Sequence, residues 1–486
     1  MKKILIMVLS ALLAATCCVL GGCSSAAAPQ KSVLDPENPV QIELWTYYAG
    51  EQLQAFDALV TQFNATVGKE KGVVATSVSQ GGVGDLAKAV TASAQGAVGA
   101  NAMPDAFLAY PNTAQVINKL GKVADVRSYF TDDEKAAFIE GFLAEGDLDG
   151  DGSLKVIPCS KSTETMQINM TAWNEFAQAT NTSIEALSTM EGLQGVARSY
   201  YEWTDAQTPA PNDGKPFFGR DAMANYMLVG AKQLGVDVFD VKDGAVTFNL
   251  DKAAFRQLWD SYYVPYISGY YSSEGRFRSD AVKTGDLVCY VGSSSSVVYF
   301  PKAVTVDDAT SYAIEFGART APLFAQGKPC AVQQGAGFAV TKADEKTEAA
   351  CVEFLKWFNQ KEQSTEFAVS AGYVPATKEA CTTQNIEAVA ATMDRVPQNY
   401  LKNLTATLDT IEGSELYSTP LFEGGVAARE VMDASLQKQA LAGRAQVVAL
   451  LEGGASHADA TAQVATDEAF NAWLDALSLE LQATIK

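Results

Sequence analysis

Few side chains in this chain could carry out a reaction, and histidine narrows the choice first. His457 is the only histidine in 486 residues, and it lies in a Gly-Gly-Ala-Ser-His stretch that reads as a loop. A Ser-His-Asp triad, a Cys-His pair or a His-rich metal centre has almost no material to be built from. Beyond the N-terminal segment, Cys159, Cys289, Cys330, Cys351 and Cys381 are odd in number, widely spaced and free of any Cys-x-x-Cys. They imply neither a disulfide framework nor a zinc site, and five mostly buried thiols is the simpler reading. Paired carboxylates need no histidine, so that form of catalysis stays open. Asp147, Asp149 and Asp151 alternate with leucine and glycine, as in a calcium loop. Pro158 stands where an EF-hand needs its twelfth-position acid, which leaves a partial calcium site or a bare turn. No other cofactor is implied.

A second set of residues suits recognition. Ser162 and Thr163 follow a proline and precede an extended run, where their hydroxyls either meet a ligand or cap a turn. Ser293 to Ser296 follow an apolar strand and either bond ligand oxygens or begin the next helix. Gly335-Ala336-Gly337 lets backbone approach a ligand closely, or makes a tight bend. Tyr373, between Gly372 and Val374-Pro375, either aims a phenol into a cleft or is a core tyrosine. Trp45 either stacks on a ring or sits in the core.

These residues must be held by regular elements. Gln41 to Tyr47, Val73 to Val78 and Ala106 to Tyr110 read as strands, and helical spacing follows each of them. Leu53, Phe56, Leu59, Val60 and Phe63 mark the first helix, Leu86 to Ala97 the second, and Thr113 to Leu120 the third. This alternation predicts an α/β chain with a parallel sheet covered by helices. A second strand-helix series runs from Val156 through Leu250. Ligands in such sheets bind at the carboxyl ends of strands, which singles out Trp45 and Tyr47 on the first strand and Asn112 after the third.

Composition and the N-terminus bound the setting. Apolar residues make up 48% and charged residues 19%, a globular balance, and the length suggests two large lobes. A net charge of −21 argues against nucleic acid as a partner. Lys2 and Lys3 precede an apolar run from Ile4 to Leu20, too short and wrongly flanked to span a bilayer. The run closes on Leu20-Gly21-Gly22-Cys23, which resembles a bacterial lipobox, so residues 1–22 are expected to be a signal peptide. Cys23 is the expected site of acylation, and 23–39 a flexible tether. The chain is then extracytoplasmic and touches the membrane only through its lipid.

Six segments occur together and in order. They are Ile42-Glu43-Leu44-Trp45; Met103-Pro104-Asp105-Ala106; Ile157-Pro158-Cys159-Ser160-Lys161-Ser162-Thr163; Gly285-Asp286 through Gly292-Ser293-Ser294-Ser295-Ser296; Gly335-Ala336-Gly337-Phe338-Ala339-Val340; and Gly372-Tyr373-Val374-Pro375-Ala376-Thr377. In this order the chain resembles extracellular solute-binding family 1, which includes maltose- and glycerol-3-phosphate-binding proteins. The resemblance covers nearly all of the chain after the tether. It implies a two-lobe periplasmic-binding-protein type II fold with a ligand clamped between lobes joined by crossing strands. The expected lobes are 40–158 with 301–355, and 159–300 with 356–486.

Aligned with the family's glycerol-3-phosphate-binding member, the ligand-binding positions map onto Ser162, Ser293 or Ser294, Gly335 and Tyr373. A phosphate-binding arginine falls near Arg429. That member's tryptophan pair is replaced here by the stretch containing Arg220, and its glutamate after the third strand by Pro111-Asn112. Arg220 and Arg429 together would suit an anionic ligand, or either is a surface arginine. The resemblance implies a monomeric, non-enzymic substrate-binding component of an ABC importer. Its small polar ligand would be a sugar, an oligosaccharide or a phosphorylated polyol, delivered to permease subunits. The alternatives are a secreted carbohydrate-active enzyme using two carboxylates, and a ligand sensor on the same fold.

Overall fold

The first strand buries Ile42, Leu44 and Trp45 and thereby seeds the first of two sheets. The computed structural model describes residues 33–242, 245–307 and 309–485, so the signal segment, Cys23 and most of the tether lie outside the described residues. The first sheet has the spatial order Val73–Ser79, Val40–Thr46, Ala106–Ala109, Gly337–Val340, Ile157–Pro158. Its first three strands are parallel, as the strand-helix alternation requires, and Gly337–Val340 returns antiparallel. The helix Gly50–Ala65 buries Phe56, Leu59, Val60 and Phe63, a spacing of i, i+3, i+4, i+7. Phe56 stacks on Phe338 with ring centroids 5.9 Å apart, and Phe63 meets Phe354 edge-on at 5.2 Å. Each such ring contributes roughly 1.5–3 kcal/mol by leaving water.

The second lobe has a four-stranded sheet in the order Phe316–Thr320, Glu164–Asn169, Cys289–Ser293, Phe218–Arg220. Glu164–Asn169 is buried along its whole length and pairs antiparallel with both neighbours. Gly425–Glu452, a helix of 28 residues, runs along this lobe with Ala428, Met432, Leu436, Ala440, Gly443 and Val447 inward. A side chain at Gly443 would collide with the Tyr263 hydroxyl 2.4 Å from its Cβ, so close packing of helix on helix requires glycine there. His457, expected in a loop, instead opens the helix His457–Val464, and its Nε2 lies 2.9 Å from the Ser268 carbonyl.

Sheet membership moves the expected lobe boundaries. Phe316–Thr320 was expected in the first lobe with 301–355, yet it pairs with Glu164–Asn169 in the second, where Phe324 joins the core. Conversely, Phe358, Phe367 and Ala371, expected in the second lobe, sit in the core of the first. The return to the first lobe therefore falls at residues 330–337, and the last departure at 372–376. A short strand carries no sequence mark of which sheet it will join, because register is settled by distant partners.

Three passages between the lobes lie side by side and bond to one another. Ser162 donates its N–H to the Gln334 carbonyl at 3.0 Å and accepts the Gln334 N–H at 2.9 Å. On its other side, Ser160–Lys161 pairs antiparallel with Val374–Pro375. Gly335 makes this possible: its φ is +93°, and a Cβ there would lie 2.3 Å from the Ser160 carbonyl oxygen. Beside it, the Lys161 side chain is only 1% exposed. Its ammonium donates to Glu145 Oε2 at 2.6 Å and to the Gly335 carbonyl at 3.0 Å, and it lies 5.5 Å from the Phe142 ring centroid.

Two outcomes follow from the crossing. Gly335→Ala should lower unfolding free energy by about 1–3 kcal/mol in a denaturant titration, through backbone strain and the Ser160 clash. Glu145→Gln should cost about 3–5 kcal/mol, because it strands a buried ammonium, and the double change with Lys161→Met should recover most of that loss. Lys161→Met alone should cost less than Glu145→Gln, since Glu145 is 11% exposed and its freed carboxylate can rehydrate. Equal losses in all three variants would refute a coupled pair.

Candidate functional site

A cavity of about 1070 Å³ opens between the lobes. This slightly exceeds the roughly 300–1,000 Å³ of ordinary small-molecule pockets. Its first-lobe wall is the carboxyl end of Ala106–Ala109 and the start of the helix Pro111–Lys119, bringing in Tyr110, Asn112 and Thr113. Glu145 lies on the same wall, the crossing contributes Val332, Gln333 and Gln334, and the second lobe contributes Ser418 through Ala427 with Arg429. Glu145 joins the two sides. One of its oxygens holds Lys161, and the other accepts the Ser418 hydroxyl at 2.9 Å.

Arg429 sits on the first turns of the helix Gly425–Glu452, whose N-cap Gly424 makes no side-chain cap. The cavity therefore has a guanidinium at this helix start, flanked by Glu423 and Glu430, which line the same cavity. The guanidinium is aimed by Asn225, whose Oδ1 accepts from Nη2, and by Thr419 Oγ1, 3.4 Å from Nη1. Asn225 in turn donates to Glu164 Oε1 at 2.8 Å, and the other Glu164 oxygen pairs with Arg220. Among the described residues Arg429 forms no ion pair, so its charge is left for the cavity.

Beside the cavity, Tyr47, Tyr110 and Tyr373 lie close together. Burial pushes all three phenols above their ordinary range. Neighbouring phenols push Tyr47 and Tyr373 further, and the Glu145 carboxylate pushes Tyr110 further. They stay protonated at neutral pH and can donate.

Several expected site residues serve the crossing or the core instead. Trp45 is 2% exposed, and its indole N–H donates to Glu43 Oε1 at 2.6 Å, so it presents no face for stacking. The Thr163 hydroxyl donates to the Val332 carbonyl at 2.8 Å, and the Ser294 hydroxyl accepts the Thr163 N–H at 3.2 Å. Ser293 donates to the Ser162 hydroxyl at 3.3 Å and caps the short 3-10 helix Ser294–Tyr299. Ala336 and Gly337 are buried, with Gly337 paired to Ala109 and Pro158. Arg220, paired with Glu164 and lying over the Tyr226 ring, faces a separate cavity of about 180 Å³. Each hydroxyl was open between a ligand contact and a cap or turn, and a buried hydroxyl beside crossing strands bonds the nearest protein group first.

Asp147, Asp149 and Asp151 do not converge on a cation position. Asp147 accepts the Asp151 and Gly152 N–H groups at 3.2 and 2.9 Å, and Asp151 accepts the Ser153 N–H at 2.9 Å. Asp149 accepts from Asn118 at 2.7 Å and faces Lys155. Among the described residues no group of three or more His, Cys, Asp or Glu side chains could hold a metal ion. All five cysteines are free and buried, and burial raises Cys159 to about 11 and Cys381 to about 12.

Sequence reasoning passed over Glu145, Gln333, Gln334, Ser418 and Asn225. Only the glutamines carried a usable signal, since they immediately precede Gly335-Ala336-Gly337. Gln333 is 6% exposed, and neither its amide nitrogen nor its oxygen has a partner among the described residues. The Gln334 amide oxygen is likewise unpartnered. A buried polar group left this way costs about 1–3 kcal/mol.

Comparison with known proteins supports the architecture. A cyclic α-maltosyl-1,6-maltose binding protein of Arthrobacter globiformis superimposes with a TM-score of 0.64 at 21% identity, over 92% of this chain and 100% of its own. UgpB of Mycobacterium tuberculosis, in complex with glycerophosphocholine, gives 0.66 at 17%, again over 92% and 100%. The maltotriose-bound MalE domain of Bdellovibrio bacteriovorus gives 0.61 at 13%, over 92% and 100%. These similarities establish the two-lobe fold. No curated protein sequence matches the chain. The family model described as bacterial extracellular solute-binding protein matches residues 58–393, well over half of the sequence, and the chain therefore belongs to that family.

Proposed function

We propose that this chain is the substrate-binding component of an ABC importer and captures a sugar, an oligosaccharide or a glycerol-phosphate-like polyol. The observation that carries this reading is the interlobe cavity of about 1070 Å³, whose walls come from both lobes and from the crossing between them. A ligand there touches both sides, and its binding energy favours whichever lobe arrangement encloses it. The arrangement suits capture and release: no bond need form or break, and the one carboxylate nearest the crossing is occupied by Lys161 and Ser418. Arg429, with Glu423 and Glu430 lining the cavity beside it, supplies both donors and acceptors, which suits either a sugar or a phosphorylated polyol. The proteins of similar fold named above bind, respectively, a cyclic maltosyl-maltose, glycerophosphocholine and maltotriose, which supports the same range. Delivery to permease subunits, action as a monomer and anchoring through acylated Cys23 belong to the same proposal.

A thermal-shift screen over sugars, oligosaccharides, polyols and their phosphates tests the reading. The true ligand at 100 times its Kd should add about 2.7 kcal/mol of stability, whereas a flat screen would remove the proposal. Calorimetry on Arg429→Ala then assigns the charge. An anionic ligand should lose about 2–5 kcal/mol of affinity. A neutral sugar should lose only about 0.5–1.5 kcal/mol, the worth of one hydrogen bond.

The anchor has its own test. Cys23→Ala should move the full-length protein from the detergent phase to the aqueous phase in cell fractionation, since lipid is its expected hold on the membrane. Unchanged partitioning would refute acylation at Cys23.

A further inference from the structure

The two walls of the interlobe cavity carry exposed side chains that the ligand reading does not use. On the first-lobe wall, Val83, Val116 and Leu120 are between 40% and 44% exposed. Val116, Lys119 and Leu120 recur at i, i+3 and i+4, so they share one face at the end of the helix Pro111–Lys119. On the second-lobe wall, Val426 is 44% exposed, and Ala427 and Glu430 are exposed beside it on the first turns of Gly425–Glu452. Glu423 lies exposed just ahead of that helix.

The free charges on the two walls differ in sign. Of the other charged side chains lining the cavity, Glu145 holds Lys161, Asp147 accepts the Asp151 and Gly152 N–H groups, and Arg429 is held by Asn225 and Thr419. Lys119 on the first lobe, and Glu423 and Glu430 on the second, form neither an ion pair nor a side-chain hydrogen bond among the described residues. Each wall thus offers an apolar patch with an unpaired charge beside it, and each is the complement of the other. We infer that the walls are two halves of a closing contact: the helix end at Val116, Lys119 and Leu120 docks on the helix start at Val426, Ala427 and Glu430 when the lobes approach. The aliphatic side chains then leave water together, which favours the approach. Lys119 pairs with Glu423 or Glu430, which fixes the register of the two faces, since like charges would be set against each other in a wrong one. This goes beyond the ligand reading. The contact strengthens binding without touching the ligand, because the arrangement it favours is the one that encloses the cavity.

Cross-linking in the full mature chain tests the contact with no ligand present. Leu120→Cys combined with Val426→Cys should be joined by a short bis-maleimide, read by mass spectrometry of the joined peptides. Each single cysteine variant controls for reaction elsewhere, and Cys159, Cys289, Cys330, Cys351 and Cys381 are all buried. Adding Lys119→Glu should slow the joining by about fivefold or more, since attraction to two carboxylates becomes repulsion. Adding Glu423→Lys and Glu430→Lys to that background should restore the rate. All the substituted positions are exposed, so the melts of these variants should match the wild type. A rate unchanged by Lys119→Glu, a loss that the charge swap does not restore, or a cysteine pair joined in no background would each overturn the contact. Calorimetry with maltotriose and glycerophosphocholine as separate probes adds the ligand: Lys119→Glu should weaken whichever probe the wild type binds, and the swap should restore it. Weakening without restoration would place Lys119 against the ligand instead and overturn the contact. A wild type that binds neither probe would count against the ligand reading alone, with the cross-linking still deciding the contact.

Discussion

The buried contact between Lys161 and Glu145 is the constraint around which the two lobes are arranged. An ammonium 1% exposed has few acceptable surroundings, and here it has a carboxylate, a backbone carbonyl and an aromatic ring. They come from two passages of chain, Glu145 and Phe142 from the first lobe and Gly335 from the return crossing, and Lys161 itself lies on a third, the outward crossing. Satisfying one charge therefore registers three segments against each other. Gly335 serves the same end from the backbone side, since only a residue without a Cβ can pass so near Ser160.

Contacts across the cleft away from the crossing are weaker in kind. Glu51 and Arg395 pair at 2.7 Å on one rim, but their side chains are 58% and 76% exposed, and such pairs are worth about 0–1 kcal/mol. The Ser418–Glu145 hydrogen bond is the more enclosed link, and it attaches the second lobe to the same carboxylate that holds Lys161. Ile411, Leu416 and Leu421 add apolar contact against the core of the first lobe.

The cavity carries charge of both signs: Arg429 lines it together with Glu423 and Glu430 at the helix start, and Glu145 lines it at the crossing beside Gln333 and Gln334. The chain Arg429–Asn225–Glu164–Arg220 positions the guanidinium through successive hydrogen bonds.

Much of this was legible in the sequence, for a definite reason. The strand-helix alternation over residues 40–120 follows from local period and burial, and the structure reproduces it to within a few residues at each boundary. The six ordered segments announced the family and the two-lobe fold, since glycines, prolines and serines at those places answer to backbone geometry that a chain must write locally. Asn112 and Arg429 do line the cavity, where strand-end position and the family resemblance had pointed. What the sequence could not decide was which polar groups would be left over. Ser162, Thr163, Ser293 and Ser294 stood open between ligand and cap because their partners, Val332 and one another across more than a hundred residues, are invisible along the chain. Trp45 stood open between stacking on a ring and sitting in the core, and Glu43 and the core enclose it. Glu145 and Gln333 looked ordinary, and became central only when folding buried one against Lys161 and left the other without a partner. Local pattern determines which elements form and where they turn. Which hydrogen-bonding groups remain for a ligand is a remainder after all tertiary bonds are made, and only the folded chain settles it.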